Sequence, residues 1–85
     1  MNRYFVYIVE CADKTLYVGY TTNIEGRIRA HNTLTSGARY TKIRRPVKLV
    51  YEESFQTKSE ALKREYEIKQ LRRMQKIALI RKKVI

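Results

Sequence analysis

Tyr4-Phe5-Val6-Tyr7-Ile8-Val9-Glu10-Cys11-Ala12-Asp13-Lys14-Thr15-Leu16-Tyr17-Val18-Gly19 is the stretch that decides the fold. Residues 4–11 are mostly aromatic or β-branched, the side chains that fit a pleated surface. At a period of two, Phe5, Tyr7, Val9 and Cys11 face one way and Tyr4, Val6 and Ile8 the other. Apolar residues on both faces predict a central strand covered on both sides. Ala12-Asp13-Lys14 is a turn, and Thr15 to Gly19 is the return strand of a hairpin.

Working outward, Thr22-Asn23-Ile24-Glu25 offers a capping box with Thr22 as N-cap. Ile24 and Ile28 then repeat at i, i+4, which predicts a helix to about His31. Gly26 within it costs ~1 kcal/mol relative to Ala. Residues 32–45 have no apolar periodicity and read as a loop. Pro46 opens a third strand, Val47 to Phe55. Thr57-Lys58-Ser59-Glu60 is a second capping box, starting a helix through about Gln70, with another from Arg72 to Lys82. The order β-β-α-β-α-α predicts an α+β fold, one small domain over residues 1–85, with helices covering the sheet.

Composition narrows the partners. Nineteen Lys and Arg oppose eight Asp and Glu in 85 residues, a formal charge of +11. The last 18 residues hold seven of those cations and no carboxylate. Such a surplus disfavours acidic buffers and favours a polyanion, nucleic acid above all. One Cys excludes an internal disulfide framework and a paired-cysteine zinc site. Oxygen ligands leave Mg²⁺ or Mn²⁺. No apolar run approaches the ~20 residues of a bilayer crossing. Glu10 and Asp13 close the N-terminal run too soon for a signal peptide, so a cytoplasmic protein is expected.

Four groups of residues could carry chemistry. On the second capped helix, Ala61, Leu62, Tyr66 and Ile68 make an apolar arc that contains Glu65. An inward carboxylate needs a partner. Lys69 at i+4 is the ordinary one; a metal ion is the functional one. Arg27 and His31, also i, i+4, flank the Ile24/Ile28 stripe and share the side that packs on the strand. Their ordinary reading is a helix rim with a snorkelling Arg stem. Tyr7 and Tyr17 come close across the hairpin, while Tyr4 and Tyr51 read as core. Arg39-Tyr40-Thr41-Lys42-Ile43-Arg44-Arg45 interleaves cations with an aromatic and a hydroxyl, a composition suited to phosphate contact and base stacking. Lys69, Arg72, Arg73, Lys76, Arg81, Lys82 and Lys83 extend the positive surface.

Tyr7, then Tyr17-Val18-Gly19, Arg27 and His31, and Glu65 together resemble the GIY-YIG nuclease domain. Arg27-Ile28-Arg29-Ala30-His31-Asn32, Gly37-Ala38-Arg39-Tyr40-Thr41, Arg44-Arg45-Pro46-Val47-Lys48-Leu49-Val50-Tyr51 and Glu60-Ala61-Leu62-Lys63-Arg64-Glu65 extend the likeness from Tyr4 to about Ile80. It is closest to the small single-domain bacterial branch, related to the UvrC nuclease domain and the Slx1-type nucleases. The resemblance implies a three-stranded antiparallel sheet with flanking helices. It implies an endonuclease that hydrolyses phosphodiester bonds in DNA, structured or nicked, with a place in DNA repair. Tyr7 and Tyr17 match the family's two motif tyrosines and Arg27 its essential helix arginine. His31 matches a position that is polar or His in several members, and Glu65 the carboxylate for one divalent metal. Gly19 matches the glycine closing the second motif, where a missing side chain lets substrate or the first helix approach. The first motif here reads Phe5-Val6-Tyr7, without its glycine. An Asn that many members place after the metal-binding helix has no clear counterpart in residues 69–83.

In the implied mechanism Glu65 holds Mg²⁺ or Mn²⁺ and Arg27 a non-bridging oxygen, while Tyr7, Tyr17 or His31 acts as base. Only about 0.1% of an ordinary Tyr is phenolate at pH 7, so a Tyr base needs cations that lower its pKa. Gly19, Arg39, Tyr40, Lys42, Arg44, Arg45, Lys69, Arg72 and Arg73 are the expected nucleic-acid contacts. DNA is expected before RNA, on a monomer, with a protein partner as a source of targeting. The competing class is a binding module that keeps the scaffold without cleaving. An RNA-binding role in translation rests on charge alone.

Overall fold

The computed structural model describes residues 3–33, 41 and 43–83. Six main elements follow the predicted order: β1 (Tyr4–Glu10), β2 (Leu16–Thr21), α1 (Ile24–Thr33), β3 (Lys48–Phe55), α2 (Lys58–Lys69) and α3 (Arg73–Lys83). The strands form one antiparallel sheet in the order β2-β1-β3. β1 is therefore central, and Val6, Tyr7, Ile8 and Val9 are all buried. One face carries Val6, Ile8, Val18 and Tyr51 under Ala61 and Ile68 of α2, with Leu79 and Ile80 of α3 beside them. The other carries Tyr7, Val9, Cys11 and Val47 with Ile24 and Ile28 of α1. Alternation along β1 thus builds two half-cores from one strand.

The pairing of β1 with β3 slips at Ile8 and Val9, which face Tyr51 and Leu49. Val50 is the extra residue of a bulge, a local kink that re-aims the strand. The hairpin turn is held by Cys11 N–H to the Thr15 carbonyl and Lys14 N–H to the Cys11 carbonyl, both 2.9 Å. Lys14 takes φ 73°, and Asp13 Oδ1 accepts from Thr15 N and Oγ1. The return strand runs to Thr21, two residues beyond the expected end.

Two sequence expectations change. Asn23, not Thr22, caps α1: its Oδ1 accepts from Gly26 N at 3.1 Å, while Thr21 Oγ1 accepts from Asn23 N. Asn is as good a cap as Thr, and it stands one residue closer to the first turn. Leu62 and Tyr66 are exposed although they lay on the expected apolar arc. α2 rests on Ala61 and Ile68, while Leu62 and Tyr66, on the neighbouring arc, lie outside both core clusters. The second capping box is as expected, with Thr57 Oγ1 accepting from Glu60 N at 3.2 Å. None of the described helices is long and apolar enough to cross a membrane.

Gly19 sits opposite Tyr7 across the β1–β2 pair. A Cβ there would lie 2.3 Å from the Tyr7 hydroxyl oxygen and 2.5 Å from Cζ. The missing side chain makes room for Tyr7's own ring, which corrects the expectation that substrate or the helix fills that space. Gly19→Ala is expected to lower stability by about 1–3 kcal/mol through this clash. In a Tyr7→Ala background the same change should cost little, read as urea midpoints of the four proteins of a double-mutant cycle.

Candidate active site

The Tyr7 hydroxyl is where the elements meet. α1 places Arg27 and His31 one turn apart, and β1 brings Tyr7 between them. Arg27 Nε donates to the Tyr7 oxygen at 3.3 Å, and the Tyr7 hydroxyl lies 2.8 Å from His31 Nε2. His31 is fully buried, and its Nδ1 lies 2.7 Å from Thr41 Oγ1. The Tyr7 oxygen accepts from Arg27, and the tautomer protonated at Nδ1 would let Tyr7 donate to Nε2 and Nδ1–H donate to Thr41. Tyr17 closes the group, with its ring edge-on to His31 at 5.4 Å.

Burial and the charges of Arg27 and Arg45 lower the His31 pKa from 6.5 to about 4, so the imidazole is neutral. Tyr7 moves the other way from the expectation. Burial pushes its phenol above the ordinary 10.0, and the hydrogen bond and charge of Arg27 pull it down less. Tyr17 and Glu65 push it up further. The cations near Tyr7 therefore do not produce a standing phenolate, because removing its water costs more than one guanidinium returns.

Glu65 pairs with Lys69 at 3.2 Å, the ordinary i, i+4 partner. It is not walled off by that pair. Its side chain keeps 18% exposure, Lys69 keeps 50%, and its charge is felt at the Tyr7 phenol. Among the described residues no three of His, Cys, Asp and Glu gather as a metal cluster. One carboxylate fits an ion that keeps most of its ligands as water, as Mg²⁺ and Mn²⁺ do. It does not fit a zinc centre.

The expected nucleic-acid contacts divide. Arg39, Tyr40 and Lys42 lie outside the described residues. Arg44 is tied to Asp13 at 3.0 Å, and Arg45 Nε donates to the His31 carbonyl at 2.6 Å. Both hold the segment before β3 onto the hairpin turn and α1, a structural duty that charge patterning does not reveal. Arg72 and Arg73 are exposed, and Arg73 donates to the Lys14 carbonyl at 2.8 Å. Two residues without an assigned role prove to be part of the site's frame. Thr41 is buried on His31. Asn32 pins Val47 through both amide atoms, at 2.7 and 3.0 Å. Their signal was membership of the stretches that carry the family resemblance.

A model of the GIY-YIG catalytic domain matches residues 3–78. The chain belongs to the GIY-YIG family. A UPF0213 protein of Staphylococcus haemolyticus is 59% identical over 80 residues, covering 94% of this chain and 96% of that one. A UPF0213 protein of Staphylococcus aureus is 54% identical over 83 residues, covering 98% and 100%. The solution NMR structure of a UPF0213 protein from Bacillus halodurans matches with a TM-score of 0.60 and 44% identity, covering 92% and 82%. That of an E. faecalis protein matches with 0.66 and 39%, covering 96% and 86%. The GIY-YIG family is of the nuclease type, and the sheet and helix order here are those of the UPF0213 structure.

A depressed folded pKa at a base has a definite sign. Between pH 6.5 and about 4 the unfolded chain holds a proton on His31 that the folded chain refuses. The stabilisation is complete above 6.5 and is lost as pH falls to about 4. Urea melts should show a loss on the order of 2–3 kcal/mol over that window in the wild type. His31→Gln should be less stable at pH 7 and should lack that part of the slope.

Proposed function

We propose that this protein is a metal-dependent endonuclease that hydrolyses phosphodiester bonds in DNA, structured or nicked. The observation that carries the reading is the Tyr7 hydroxyl held between Arg27 Nε and a neutral His31, with the Glu65 charge in reach. Three chemical needs of the reaction meet there: an activated water, charge neutralisation at phosphorus, and a proton acceptor.

Glu65 is the residue that would hold Mg²⁺ or Mn²⁺, replacing its bond to Lys69. Once bound, the ion supplies charge neutralisation at the phosphate and the leaving oxygen. Arg27 would meet a non-bridging oxygen with its guanidinium, a shape that suits phosphate. Tyr7 would take a proton from the attacking water while its own passes to His31 Nε2. Such a relay needs no free phenolate. The hydroxide would add to phosphorus, the strand oxygen would leave and take a proton from solvent, and His31 would end as imidazolium that returns its proton to solvent. Burial is the larger cause of the low His31 pKa; an arriving phosphate would offset the part that Arg27 and Arg45 add, which would make the imidazole a better acceptor. Tyr17, half-buried beside His31, would orient the water or the phosphate. The net charge of +11 supplies affinity for the backbone with little regard to sequence.

The test is nicking of plasmid and branched DNA, with RNA alongside, in Mg²⁺ and in Mn²⁺. Wild type is expected to cleave, and Glu65→Ala, Arg27→Ala and Tyr7→Phe each to lose about 100-fold or more. Salt-dependent binding that Glu65→Ala leaves unchanged, with no product from wild type under any condition, would show a binding module instead.

A further inference from the structure

A cavity of about 230 Å³ opens beside the hairpin turn, apart from the Tyr7 cluster. Buried Cys11 and Val47 form its deep wall, and exposed Ala12, Pro46 and Lys48 its mouth. The volume is several times the ~30 Å³ share of one water and below the ~300 Å³ at which pockets for drug-sized ligands begin. It suits one flat ring.

The polar groups around it select the ring's chemistry. Lys14 and Lys48 line the rim, and Arg44 and Arg73 are bonded to the adjoining turn at Asp13 and the Lys14 carbonyl. Glu10 and Asp13 are the carboxylates facing these four cations, so the rim is positive. Glu10 meets Lys48 only at 3.7 Å, and a carboxylate has about four acceptor sites. An apolar wall, one carboxylate acceptor and a cationic rim match a nucleotide. In that site the ring would rest on Pro46 and Val47, an exocyclic amino group would reach Glu10, and phosphates would meet the lysines.

Placement agrees with this. Cys11, just past the end of β1, lies four residues along the chain from Tyr7, which is about 13 Å. That is roughly four stacked nucleotide steps of ~3.4 Å. We propose that the cavity is a nucleotide subsite that takes one unpaired base of a strand running past the Tyr7 hydroxyl. The inference rests on the nucleic-acid reading of the function above and adds to it a preference for a base released from pairing within a few nucleotides of the cut.

The experiment has two parts, both without divalent metal, so that cleavage plays no role. In the first, ¹⁵N NMR follows titration with dAMP and with deoxyribose 5-phosphate. Shifts at the Cys11, Ala12 and Val47 amides with dAMP, absent with the sugar phosphate, are expected. In the second, fluorescence anisotropy measures binding to duplexes carrying a single-stranded flap. Ala12→Leu, which narrows the mouth and keeps the Ala12 N–H bond to the Arg44 carbonyl, should weaken flap binding about tenfold. No shifts with dAMP, or shifts confined to the Tyr7 cluster, or wild-type flap binding by Ala12→Leu would overturn the subsite. The shifts without any nicking by wild type would keep the subsite and reject the endonuclease. Nicking without the shifts would do the reverse.

Discussion

The whole arrangement depends on one close approach, the ring of Tyr7 lying across the backbone of Gly19. Only a residue without Cβ lets that ring lie flat on the neighbouring strand. From there its hydroxyl reaches both Arg27 and His31 of α1. The second half-core, with Val9, Cys11, Ile24 and Ile28, forms around the same ring. Function and stability are thus coupled at one side chain. The phenol that would handle the proton is also the group that fixes α1 on the sheet.

The electrostatics follow from how dry that spot is. A fully buried imidazole between two arginines stays neutral, and a buried phenol stays protonated. Both groups rest in their uncharged forms with a short hydrogen bond between them. Burial is the larger cause of that neutrality, and in the proposed relay a phosphate would offset only the share that the arginines add. Thr41 and Arg45 hold His31 from the far side, so the acceptor is fixed in orientation as well as in charge.

Much of this was legible before any coordinates. The doubly apolar β1, the hairpin and the break between α2 and α3 follow from residue pattern and turn chemistry, and the grouping of Tyr7 with Arg27 and His31 from the family resemblance. What escaped was non-local or depended on the partner layer. Gly19 carries no sign of what fills its space; only the register of β1 against β2 puts Tyr7 there. The structural bonds of Arg44 and Arg45 were invisible in the sequence because their partners, Asp13 and the His31 carbonyl, are distant along the chain. Leu62 and Tyr66 belong to an apolar arc on a helical wheel, and a wheel contains no second layer. Thr41, in a loop without periodicity, had nothing to mark it as the far end of the chain of hydrogen bonds.

His31 is the only histidine, so its ring nitrogens can be followed without ambiguity. Long-range ¹H–¹⁵N NMR from pH 3.5 to 8 reads its tautomer and its titration together. The account requires one fixed tautomer, protonated at Nδ1 and unprotonated at Nε2, that titrates near pH 4. An imidazole that titrates near 6.5 with averaged tautomers would mean that Tyr7 and Thr41 do not grip it, and the proposed relay would have no acceptor.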